Sequence, residues 1–199
     1  MKFTKIPDDT FQNMQLNAGI LVEDFNIETG EFDKLVGATK GGITFNAAPT
    51  YSDFGDDIDN CPKNMKELKK LDSVEATLSG TLLTVTPKLA KSLIAAADID
   101  EEDATHIVPR KDILESDFKD IWWLGDYSGL NGEKNGGYCA IHLFDALNTG
   151  GFQIKTSDKA KGEFAFTYMA HFSMADQDKI PYEVYIKLGE AEPTEEPLP

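Results

Sequence analysis

Cys139 and His142 are the closest approach in this chain to a nucleophile with a base beside it. Such a pair works only when both side chains reach the same substrate atom. The residues around them, Tyr138 to Ala146, alternate as a strand, and positions three apart on a strand point to opposite faces. The pair is therefore not expected to meet. His106 and His171 stand alone, without partners at a metal-ligand spacing. Asp53-Phe54-Gly55 spells a triplet known from kinases, but no other kinase element accompanies it. Asp53, Asp56, Asp57 and Asp59 form a denser acidic group. A calcium loop needs oxygens at fixed alternating positions, a glycine at the sixth and a glutamate at the twelfth, and this run does not comply. The glycine-rich phosphate and dinucleotide motifs, the nucleophile elbow and the zinc-protease motif do not occur. The expectation is a protein that is not an enzyme, with no catalytic residue, no cofactor and no bound metal.

One charged pattern remains. Lys63, Lys66, Lys69 and Lys70 form a basic patch just after the acidic group. It is either a solvated helical face or a surface that pairs with an acidic neighbour. Opposite charges meeting between copies favour association and set register more than they add affinity.

The elements that must carry these residues are mostly strands. The stretch up to Gln15 reads as a polar arm. A strand is predicted for Leu16 to Phe25, a turn for Asn26 to Gly30, and short strands near Lys34 to Ala38 and Gly42 to Ala47. From Ala48 to Asp72 the strand signal fades, and the segment reads as a long loop, with Met65, Leu68 and Leu71 lining a short helical turn. Loops of that length are uncommon in compact domains unless functional or disordered. Ser73 to Val85 alternates, with Val74, Ala76, Leu78, Gly80 and Leu82 on one face. Thr86 is a helix N-cap and Pro87 a first helical residue, followed by a stripe of Leu89, Ala90, Leu93, Ile94 and Ala97. The acidic run Asp98 to Asp103 reads as a solvated helix end.

The second half is again β. Ile121 to Tyr127 and Tyr138 to Ala146 read as a hairpin around Ser128 to Gly137, and Phe152 to Thr156 follows. Gly162 to Phe172 puts Phe164, Phe166, Tyr168, Ala170 and Phe172 on one face. Tyr182, Val184, Ile186 and Leu188 form a last strand opened by Pro181. Residues 189–199 read as a flexible acidic tail rich in proline. The fold class expected is mainly β: one β-sandwich or barrel domain over residues 16–188, with a single flanking helix, a long inter-strand loop at 48–72 and several strands at sheet edges.

Composition narrows the function further. Asp and Glu outnumber Lys and Arg by 35 to 19, a formal charge of -16. Tight DNA binding draws on cations that displace counterions, so DNA is expected only as a transient contact with a repelling wall. No apolar run approaches the roughly 20 residues of a membrane span. The opening Met1 to Pro7 lacks an apolar core, so no signal peptide is expected and synthesis in a cytoplasm is. In that compartment Cys61 and Cys139 are expected as free thiols.

The segment Thr50 to Ser73, TYSDFGDDIDNCPKNMKELKKLDS, closely resembles the major tail proteins of long-tailed bacteriophages of Gram-positive hosts. The resemblance continues through LAKSLIAAADID (Leu89 to Asp100) and ESDFKDIWWLGDYS (Glu115 to Ser128). It extends through NGGYCAIHLFDALNTGGFQ (Asn135 to Gln153) and the closing PYEVYIK (Pro181 to Lys187). It spans roughly Leu16 to Lys187. It implies a tail-tube β-sandwich or barrel whose copies join into hexameric rings, stacked as a hollow tube in the virion. The tube encloses the tape measure protein, is bounded by tail-tip and tail-terminator proteins, and conducts DNA at infection, without membrane insertion. The long loop of that fold reaches a neighbouring ring. Here it maps onto Ala48 to Asp72, making Tyr51, Asp53, Phe54, Asp56, Asp57, Asp59, Lys63, Lys66, Lys69 and Lys70 the expected contact residues. Some relatives carry a further immunoglobulin-like domain, which is not expected here. The competing reading is a β-sandwich binding module, an adhesin or carbohydrate binder, with Trp122 and Trp123 as the stacking aromatics.

Overall fold

A computed structural model describes residues 5–10, 13–127 and 136–189. The reading of residues 189–199 as a tail falls outside these apart from Gly189. The loop expected at Ser128 to Gly137 does so apart from its last two residues, and the N-terminal arm is described only in part. The protein is mainly β, with 50% strand and 8% helix. Among the described residues the strands are β1 (Gln15–Phe25), β2 (Phe32–Leu35), β3 (Thr39–Asp53), β4 (Lys69–Leu82), β5 (Ala97–Ile99), β6 (Ile107–Pro109), β7 (Lys119–Tyr127), β8 (Tyr138–Asn148), β9 (Gln153–Lys155), β10 (Glu163–Met169) and β11 (Tyr182–Lys187), with one α-helix, α1 (Pro87–Ile94). No helix among the described residues is long and apolar enough to cross a membrane.

The strands follow the order β2-β1-β7-β8-β10-β4-β3 in one antiparallel sheet, with β11 beside β8 and β9 beside β10. The sheet folds over at β8 to give two layers. Residues Tyr138 to Leu143 of β8 pair with β11, while Leu147 and Asn148 pair with β10. The corner is a bulge. Lys119 lies opposite Ala146 and Ile121 opposite Leu143, so β8 carries one extra residue there, and Asp145 takes φ 46°. An inserted residue bends a strand and increases its twist. Asp120 secures the bulge by accepting the Asp145 backbone N–H at 3.2 Å.

The two layers close on a core of Leu21, Leu78, Leu82, Ile121, Leu143, Phe166 and Tyr168. The alternation expected on β4 is present, with Val74, Ala76, Leu78 and Leu82 buried. Phe164, Phe166, Tyr168 and Ala170 are buried as expected, but β10 ends at Met169 and Phe172 is exposed. A second cluster lies around Val22, Phe25, Trp122, Leu124 and Ala140.

The helix begins where its sequence indicates. The Thr86 hydroxyl accepts the Leu89 N–H and Pro87 opens the first turn. Leu89 and Leu93 face the core. The far end is held from outside the helix: Asn148 donates its side-chain amide to the Leu93 carbonyl at 2.6 Å and accepts the Thr167 N–H at 2.8 Å. This buried asparagine satisfies a carbonyl that a helix end leaves free.

The acidic run after α1 is not a solvated end. Asp98 and Ile99 belong to β5, which pairs with β6. Arg110 follows β6 and binds two carboxylates: its Nε lies 2.7 Å from Asp98, and one terminal nitrogen lies 2.6 and 2.8 Å from the two oxygens of Asp117. The Asp117 side chain is fully enclosed, and it also accepts the Leu114 N–H at 2.8 Å.

Candidate assembly surface

The segment expected as a loop from Ala48 to Asp72 is mostly a β-hairpin. β3 and β4 pair from Thr39 opposite Leu82 out to Asp53 opposite Lys69, with register shifts between Lys40 and Ile43 and between Thr50 and Tyr51. The true connection is residues 54–68. The strand signal was hidden by composition: Pro49, Ser52, Asp53 and Asp72 are poor strand formers. Pro49 is tolerated because β3 has a hydrogen-bonded neighbour on one side only. Val74, opposite Pro49, is the outermost buried rung. At about 3.3 Å per residue the ladder runs on about 13 Å from Pro49 to Asp53 before the tip begins. The helical turn expected to unite Met65, Leu68 and Leu71 reduces to a 3-10 turn at Lys66–Leu68, and Leu71 lies on β4.

Asp53 organises the tip. Its carboxylate accepts the Gly55 N–H at 2.9 Å and the Asn64 N–H at 3.0 Å, tying together residues eleven apart. Those two N–H groups, followed by the charges of Lys69 and Lys63, hold the carboxyl below its usual range. Phe54 donates to the Leu68 carbonyl at 2.9 Å, extending the ladder by one bond. Gly55 is buried beneath Cys61 and Leu68, and a Cβ there would lie 3.1 Å from the Cys61 sulfur. Asn60 and Asn64 take the left-handed conformation that asparagine tolerates in tight turns. We expect Asp53→Ala to loosen the tip while leaving the sandwich intact. Hydrogen exchange at Gly55 and Asn64 should quicken by roughly tenfold or more, with little change in the thermal midpoint, because the tip opens locally.

The structure gathers the expected contact residues on this one projection, though not all in a loop. Tyr51, Asp53, Lys69 and Lys70 stand on the paired strands, with Lys69 5.4 Å from the centre of the Tyr51 ring. Phe54, Asp56, Asp57, Asp59, Lys63 and Lys66 lie in the tip. Tyr51, Phe54 and Ile58 are each more than half exposed. Among the described residues no ion pair joins Asp56, Asp57 or Asp59 to the four lysines; Lys66 pairs only with its neighbour Glu67, at 3.5 Å. Both charged runs thus remain available to something outside the subunit.

Among the described residues four strands of the sandwich, β2, β3, β9 and β11, have a pairing neighbour on one side only. Unpaired strand edges are templates for pairing with another chain. Apolar side chains accompany them: Phe32 and Leu35 on β2, Ile154 on β9, and Val184 and Ile186 on β11 are exposed. The last strand expected at Tyr182 to Leu188 is β11, ending at Lys187, and the face of it that carries Val184 and Ile186 is open.

Cys139 and His142 do sit on one strand, and burial raises the Cys139 thiol above its usual value. His142 is more than the ordinary strand residue expected. Its ring stacks on Trp122 at 3.7 Å, and its Nε2 lies 3.1 Å from Asp120, outside good hydrogen-bond alignment. Trp122 is only 6% exposed, and Trp123 is part-buried with its N–H bound to the Ala18 carbonyl. Trp122 therefore offers no open ring face of the kind a carbohydrate-stacking platform needs. Among the described residues no group of three His, Cys, Asp or Glu side chains converges as a metal site.

The fold and these surfaces define a β-sandwich protein with open strand edges and a projecting hairpin. No protein-family model matches the chain, and no curated protein matches it either.

Proposed function

We propose that this chain is a self-assembling structural protein of a phage virion, the subunit of a tail tube. Copies join into hexameric rings that stack into a hollow tube, built around the tape measure protein and finished by tail-tip and tail-terminator proteins. DNA passes through the lumen at infection. The observation that carries this reading is the β3–β4 hairpin, which extends past the core and ends in exposed Tyr51, Phe54 and Ile58 with unneutralised charge on both sides. A monomer gains nothing from ordering such an element into solvent; a stacked assembly does. The resemblance of Thr50 to Ser73 to tail tube proteins falls on this same hairpin. The formal charge of -16 also fits a conduit across which DNA slides without capture.

The test is negative-stain microscopy of concentrated purified protein. Rings and tubes are expected, with or without added tape measure protein. A strict monomer at every concentration, under both conditions, would overturn the reading.

A further inference from the structure

We infer that the β2 edge of one copy docks on the β9 edge of the next, making a head-to-tail contact between two different surfaces of the same chain. The inference rests on the self-assembly reading and identifies the surfaces that meet.

Two of the open edges are complementary in charge. β2 and the residues leading into it carry Asp24, Glu28, Glu31 and Asp33 against Lys34 alone. All are exposed, and Asp24 and Asp33 lie directly opposite each other on paired strands. Like charges placed so are unfavourable within the subunit, and a cationic neighbour would relieve them. β9 and the turn after it carry Lys155, Lys159 and Lys161 against Asp158 alone, again all exposed. Among the described residues none of those three lysines is ion-paired. Glu163, which lies opposite Lys155 on the paired strands, pairs instead with Lys40.

The apolar side chains match in the same way. Phe32 and Leu35 on β2 are 50% and 60% exposed, and Phe152 and Ile154 at β9 are 42% and 58% exposed. Each edge thus offers a short unpaired backbone ladder, a pair of exposed apolar groups and a charge of one sign. The other two open strands lack this match: β3 holds Lys40 and Asp53 far apart, and β11 holds Glu183 and Lys187 together. The β2 and β9 surfaces belong to different strands, so the contact is heterologous, and repeated copies close into a ring when the rotation permits. The occupant of each edge is therefore a second copy of this chain.

A charge-exchange experiment tests this. One variant carries Glu31→Lys and Asp33→Lys; the other carries Lys155→Glu and Lys159→Glu. Each alone places like charges at the contact, and its assembly threshold should rise about tenfold or more at low salt. An equimolar mixture should assemble again, because alternating copies restore opposite charges at every contact. So should a single chain carrying all four changes. Circular dichroism checks that each variant is folded. If a reversal does not fold, Glu31→Gln with Asp33→Asn, and Lys155→Gln with Lys159→Gln, serve instead and should weaken the salt dependence of assembly. Variants that assemble like the unaltered protein would overturn this edge pairing while leaving self-assembly standing, and so would a mixture that fails to rescue. An unaltered protein that never assembles would overturn both.

Discussion

Asp117→Ala is expected to cost the fold about 3 kcal/mol, roughly 10 °C in thermal midpoint for a domain of this size. The residue lies in a short connection between β6 and β7 that reads as nothing special in the sequence. In the structure its carboxylate is wholly enclosed, held by Arg110 and by the Leu114 N–H. Alanine leaves that amide without its acceptor and Arg110 without its closest anion. Arg110 also ties Asp98 of β5 and donates to the Ala97 and Asp112 carbonyls, so the loss reaches the β5–β6 pair and the segment below α1. Asp117→Asn keeps shape and acceptor but loses the charge, and should cost less than alanine. The check is calorimetry of both variants beside the unaltered protein.

The same carboxylate fixes a pH dependence. Desolvation pushes the Asp117 carboxyl upward, but the Leu114 N–H and Arg110 outweigh it and leave it below its usual range. Asp120, close beside the His142 ring nitrogen and accepting the Asp145 N–H, is lowered too. A carboxyl lowered on folding contributes stability that is fully present above its unfolded value, about 3.9, and is lost as the pH falls through the folded one. The protein should therefore hold its stability above about pH 5 and lose it steeply below about pH 4. In Asp117→Ala that acid limb should be shallower. An unchanged limb would mean that Asp117 is not anionic in the folded state.

Much of this architecture could be read from local pattern, because it depends on neighbours in sequence. The alternation of Val74 to Leu82, the Thr86–Pro87 cap, and the pairing of Ile121 to Tyr127 with Tyr138 to Ala146 are each set within a dozen or so residues. What could not be read depends on distant partners or overrides propensity. Arg110 meets Asp98 and Asp117 through two turns of chain with no periodic signature. Asn148 caps a helix that ends more than fifty residues earlier. The β8 corner needs Asp120 opposite a bulge at Asp145, and nothing local marks either. The hairpin out to Asp53 and Lys69 forms from weak strand residues because β3 and β4 are already aligned by the core rungs at Phe45–Leu78 and Ala47–Ala76. Extending an established ladder costs far less than nucleating one. Charge and apolar content therefore single out the residues that the hairpin exposes, while the hairpin itself has no local signature.

On that projecting hairpin, replacing Tyr51, Phe54 and Ile58 together by Ser is expected to abolish tubes while leaving the subunit folded. All three side chains are more than half exposed, so the free subunit gains little from them. In a stacked tube each would enter a neighbouring ring. Covering an exposed half of such a side chain is worth about 1 kcal/mol, so the three together would supply about 3 kcal/mol per subunit, a contact that the proposed ring would repeat in every copy. The charges beside them are weaker. Exposed ion pairs give about 0.2–1 kcal/mol each and weaken further in salt. Reversing Lys66, Lys69 and Lys70 to Glu should accordingly shorten tubes at low salt and matter less as salt rises, whereas the serine triple mutant should fail at every salt concentration. Tube length by microscopy, read beside circular dichroism, separates the two. Full-length tubes from the folded serine variant would show that the tip faces solvent in the assembly and that stacking is carried elsewhere on the subunit. Tubes lost equally in both variants, with the same salt dependence, would show that the charged and apolar groups of the tip act as one contact and not as a strong and a weak one.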